Sequence, residues 1–74
     1  MARYFFHLED GNDEVLKDNT GEEFSGIEEA KNHALDVAIE LGRNQPKSLR
    51  AQQRLLVTDE AGVALFRFPL SLLD

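Results

Sequence analysis

The chain has no cysteine and no tryptophan, only two prolines and one methionine. No apolar run approaches the roughly 18 residues that a membrane span needs. The missing cysteines exclude disulfides and thiolate metal sites together. The missing hydrophobic run excludes a helical anchor. Bases are scarce, since eight Lys and Arg face fourteen Asp and Glu for a net charge of −6. An acidic whole disfavours non-specific DNA or RNA binding, where neutralisation of phosphates dominates affinity. Catalytic signatures are missing as well. There is no GxSxG elbow, no glycine-rich phosphate loop and no HExxH pair. Ser25, Ser48, Ser71, Thr20 and Thr58 have no positioned base near them in sequence. Met1-Ala2-Arg3 runs straight into strand-like sequence without the apolar stretch of a secretory leader, so a cytoplasmic protein is expected. No catalytic residue, cofactor or metal site is expected either.

What is present is one small domain over residues 1–74. A chain this short buries only about 60% to 65% of its unfolded surface. Small domains usually add disulfides, a structural metal or self-association to such a core. With the first excluded, a second copy or another protein is the natural supplement, and a homodimer is the expectation.

Arg3-Tyr4-Phe5-Phe6-His7-Leu8-Glu9 is aromatic and β-favouring, and Asp10-Gly11-Asn12-Asp13 follows as a turn. Tyr4, Phe6 and Leu8 fall on one face of that strand, and Arg3, Phe5 and His7 on the other. Residues 14–18 read as a short, charged second strand belonging at a sheet edge, with the first strand central. Asn19-Thr20-Gly21 is a second turn. A helix then opens with Ser25 as expected N-cap and Glu28 completing a capping box. Ile27, Ala30, Ala34, Val37, Ala38 and Leu41 share one helical stripe, and Gly42 or Asn44, followed by Pro46, ends the helix. Residues 45–52 are a polar loop with room for one helical turn. Arg54–Thr58 and Val63–Phe68 form a second hairpin around Asp59-Glu60-Ala61-Gly62, and Pro69 ends its ladder. The fold predicted is α+β: ββαββ, a four-stranded antiparallel sheet with one helix packed on one face.

At this point the chain resembles a known family. Arg3-Tyr4-Phe5-Phe6-His7-Leu8, the following Asp10-Gly11 and the later Val57-Thr58-Asp59-Glu60-Ala61-Gly62 are similar to an uncharacterised family of short bacterial proteins, a domain of unknown function. That family opens with Arg-Tyr-Phe-Phe-His and ends in a Val-Thr-Asp-x-x-Gly hairpin. The resemblance implies no activity, substrate or cofactor.

Two strands and the aromatic run show apolar residues on both faces, more than one helix of about seventeen residues can cover. Leu35 and Ile39 lie off the helix core stripe. Either the Leu70-Ser71-Leu72-Leu73 tail covers them, or a partner does. Phe5, Leu35, Ile39, Phe66, Phe68 and Leu72 are therefore the interaction candidates of a non-catalytic module that self-associates or docks a partner. Charge is uneven too: residues 1–40 carry eleven acids against three bases, whereas residues 41–58 carry Arg43, Lys47, Arg50 and Arg54 with no acid. These four are candidates for contact with nucleic acid or another anionic ligand, against the plainer reading of a solvated loop. A third alternative centres a small metal protein or enzyme on His7 and nearby acids. His7 and His33 lie on different elements with no ligand spacing, so a hydrogen-bonded structural histidine is expected instead. The acidic run Glu9, Asp10, Asn12, Asp13 and Glu14 has its glycine out of place for a calcium loop, and reads as a solvated turn.

Overall fold

The computed structural model describes residues 1–11 and 13–74. In chain order the elements are β1 (Ala2–Asp10), β2 (Asp13–Leu16), β3 (Glu22–Phe24), α1 (Ile27–Arg43), α2 (Lys47–Arg50), β4 (Gln53–Thr58) and β5 (Ala64–Pro69). The class is the α+β arrangement expected, with an antiparallel sheet of five strands rather than four. Asn12, in the expected first turn, lies outside the described residues. No helix among the described residues is long and apolar enough to cross a membrane.

The sheet runs β2-β1-β4-β5, with β3 also paired to β1. The aromatic strand is thus interior, flanked on one side by β4 from Phe5 to Asp10. Its other side is shared. β3 takes Ala2 to Tyr4, and β2 takes Leu8 to Asp10. The extra strand went unread because Glu22-Glu23-Phe24 is too short and too acidic to carry a β pattern.

Alternation places Tyr4, Phe6 and Leu8 of β1 beside Leu55 and Val57 of β4 and Phe66 and Phe68 of β5, on the face covered by α1. The helix meets this surface through Ala30, Ala34 and Ala38, all fully buried. Three alanines one turn apart let the helix axis lie close to the aromatic sheet. Val37 and Leu41 pack beside them, whereas Ile27, expected on the same stripe, is exposed in the first turn.

Two caps differ from expectation. The N-cap is Gly26 in extended backbone, without a side-chain cap. Ser25 stands one residue too early and instead donates its hydroxyl to Glu29. At the other end the cap is Asn44, so Gly42 lies inside the helix, buried. A Cβ on Gly42 would collide with the carbonyl oxygen of Leu70. The glycine is there to let the C-terminal segment cross the last turn of α1, not to end the helix.

The uncovered face of the sheet is more polar than the sequence suggested. It carries Phe5, His7 and Glu9 from β1, Arg54, Leu56 and Thr58 from β4, and Arg67 from β5. Glu9 lies 3.9 Å from Arg54 and 3.5 Å from Arg67, so the charges on this face bridge three strands. Phe66 and Phe68, two of the six interaction candidates, pack against the core on the helix side, with ring centroids 5.7 Å apart. The apolar surplus on this face reduces to Phe5 and Leu56, both half-buried.

Candidate functional site

Among the described residues, two concavities of about 210 Å³ each stand out. The first lies on the uncovered face, around His7. Between the residues of β1 held by β3 and those held by β2, Phe5 to His7 has no strand partner on that side. The connection after β2 crosses this gap. The Phe6 N–H donates to Asp18 Oδ2 at 3.1 Å, and the Asp18 N–H donates to His7 Nδ1 at 3.0 Å. Asp18 Oδ1 also accepts the N–H groups of Thr20 and Gly21, at 3.1 and 3.0 Å. One aspartate stands in for the missing strand residues. Gly21 makes this possible: its φ of +72° is a glycine conformation, and a Cβ there would meet Phe5, Arg3 and the Tyr4 carbonyl within 3 Å.

Burial raises the Asp18 pKa, but three backbone N–H donors from Gly21, Phe6 and Thr20, with the nearby His7, outweigh it and hold the carboxyl below its ordinary value. His7 itself is buried. Because Nδ1 accepts, the ring proton sits on Nε2, which faces Thr58 Oγ1 at 3.4 Å. Phe5 lies parallel to the imidazole, centroids 6.4 Å apart. Lys17, Asn19, Asp59, Glu60 and Gly62 complete the rim. Asp59 is committed to its own turn, accepting from the Ala61 and Val63 N–H groups. Both ring nitrogens of His7 therefore face groups of the protein. His33 is elsewhere, 3.2 Å from Glu22 and edge-on to Phe6. Among the described residues no three His, Asp or Glu side chains come together at metal-binding distance.

The second concavity is a groove where α1 ends and the C-terminal segment turns over it, lined by Ile39, Gly42, Arg43, Arg50, Leu70, Leu73 and Asp74. Its floor is aliphatic and its rim cationic. Arg50 donates Nε to Asp74 Oδ2 at 3.0 Å and Nη2 to Oδ1 at 2.8 Å, with Nη1 on the Gln45 carbonyl. Those guanidinium hydrogen bonds, with Lys47 nearby, hold the Asp74 carboxyl below its ordinary value. Arg43 reaches Glu40 at 3.9 Å and is otherwise exposed. Three of the four anion-contact candidates therefore gather here, while Arg54 belongs to the far face of the sheet, near Glu9 and on the Gly11 carbonyl. Of the interaction candidates, Ile39 is in the groove, Leu35 lies one turn back and half-buried, and Leu72, next to Leu73 in the tail, is exposed and not part of the lining. Leu73, 68% exposed at the groove edge, is not among the six expected interaction residues. Val15 and Leu16, also exposed, were read only as strand residues. The apolar-acidic composition of the segment holding them was the signal available.

A family model described as a domain of unknown function (DUF6894) matches residues 3–71. The chain belongs to that family. The match covers both concavities except for Leu73 and Asp74, so the His7 corner and most of the groove are built from residues the family model spans. No match was found among curated proteins or among solved structures.

Proposed function

We propose that this domain is a non-catalytic interaction module that acts in the cytoplasm, associating with itself or docking a protein partner. The observation that supports it is the groove of Ile39, Leu70 and Leu73 under the cations Arg43, Lys47 and Arg50. An aliphatic floor with a charged rim is the make-up of an interface patch, whose centre excludes water and whose edge selects the partner. The His7 corner does not compete as a catalytic centre, because its donors and acceptors are spent on the backbone that closes the sheet. The cations are interleaved with Glu40 and Asp74, which lowers the net positive charge that a polyanion such as DNA or RNA would need.

Sedimentation or light scattering across the micromolar range, together with affinity capture from the native host, tests this. The expected result is an oligomer or a specific partner, lost on Leu73→Asp. Tight, salt-dependent binding of an oligonucleotide, abolished by Arg43→Glu, would replace this reading with nucleic-acid recognition.

A further inference from the structure

Resting on the interaction-module reading, we infer that the occupant of the groove is the β2 strand of a second copy of this chain, with Leu16 as its anchor. Three features of the molecule point to it. The groove selects an aliphatic side chain accompanied by negative charge, and the chain's own tail displays that chemistry: Leu73 lies along the lining while Asp74, the next residue, is held by Arg50. An apolar cavity of about 150 Å³ holds a benzene-sized group, so about 210 Å³ has room for a further leucine side chain. Second, β2 is the outermost strand of its sheet edge, and it presents Leu16 at 66% and Val15 at 54% exposure. Leu16 stands opposite Leu8 in register, on the face that elsewhere is covered by α1, yet outside the buried cluster. Third, the charges are complementary. β2 opens with Asp13 and Glu14, ahead of Lys17, within a forty-residue stretch of net charge −8 that holds three bases and eleven acids. The groove draws Arg43 and Arg50 from residues 41–58, with Lys47 nearby, and since Asp74 already pairs with Arg50 the exposed cations at its rim are Arg43 and Lys47.

The contact joins two different patches, so it is heterologous unless two copies exchange it reciprocally around a two-fold axis. Either geometry places an apolar anchor in an aliphatic floor and the exposed Asp13 toward the exposed Arg43 and Lys47. Opposite charges at such a rim raise the association rate and weaken with salt.

The experiment uses complementary variants of the full chain. Leu16→Asp disables the anchor, and the double change Arg43→Glu with Lys47→Glu reverses the rim. These side chains are exposed, and circular dichroism checks that each variant keeps the fold. Wild type is expected to self-associate in sedimentation equilibrium, and each variant alone to lose at least about tenfold in association constant. An equimolar mixture of the two variants is expected to regain a mixed dimer, because one copy keeps its groove and the other its β2. Higher salt is expected to weaken the wild-type complex. Self-association that Leu16→Asp leaves unchanged overturns this inference while the module reading stands, since the copies then meet elsewhere. A mixture that stays monomeric when wild type associates overturns it too. A wild type that remains monomeric at submillimolar concentration also overturns it, and leaves the module reading to partner capture.

Discussion

The two concavities have the same volume and opposite construction. Around His7 the lining is tied to backbone: an aspartate carboxylate takes three N–H donors, and its own N–H is given to the imidazole. At the end of α1 the lining is side chains of helix and tail, closed by one arginine–aspartate pair at the surface. A buried polar group is stabilising only when satisfied, and every satisfied bond lowers what remains for a ligand. The first corner is closed mainly by hydrogen bonds to backbone, the second by aliphatic packing and one ion pair. Equal volume conceals that difference.

The comparison breaks most visibly at the glycines on which each corner leans. Gly21→Ala forces a positive φ on alanine and a Cβ into Phe5, Arg3 and the Tyr4 carbonyl. It is expected to cost about 2–4 kcal/mol in denaturant unfolding. Gly42→Ala would stabilise an open helix by about 0.5–1 kcal/mol. Here the Leu70 carbonyl blocks the added Cβ, so a loss of about 1–3 kcal/mol is expected and the sign reverses. A gain in stability would show that the tail does not cross α1 as described.

Removing the carboxylate is next. Asp18→Ala strands the N–H groups of Phe6, Thr20 and Gly21 and is expected to cost about 1–3 kcal/mol. Asp18→Asn, which keeps an acceptor, should cost less. The ¹⁵N spectrum of the imidazole should show Nε2 carrying the proton, and a protonated Nδ1 in neutral protein would overturn the hydrogen-bond assignment.

Acid should find the same group. The Asp18 pKa is depressed by folding, so its contribution is fully present above the unfolded carboxylate value of about 3.9 and is lost as pH falls below it. Thermal scans should therefore show an acid-side loss of stability that Asp18→Asn reduces. Asp74 is depressed as well, but in a single ion pair at the surface, and Asp74→Asn should change the acid limb less than Asp18→Asn. The smallest effect is expected for Arg50→Ala, which should loosen the tail in hydrogen exchange while barely moving the melting temperature.

The sheet, the helix and both hairpins were legible because periodicity survives in a single sequence: period two in Arg3–Glu9, and near four in Ala30, Ala34 and Ala38. Family membership was legible from the opening Arg3–Leu8 run. β3 was not, because three residues hold too little pattern. Gly42 was misread because a helix-terminating glycine and one that admits a crossing backbone look alike until the tail is placed. Asp18 read as one acid among many, and nothing local marks it as filler for a strand gap. The groove was half legible: Ile39 stood out as off-stripe, but its meeting with Leu73 and Arg50 depends on tertiary folding.

One further consequence follows from the position of Tyr4. It is the sole tyrosine in a chain without tryptophan, it is buried, and its ring lies 6.2 Å from that of Phe24. Intrinsic ultraviolet emission therefore comes from a single spot, where β1 and β3 meet beneath the helix. The native molecule carries an optical probe of its own interior, so unfolding there can be followed without any label.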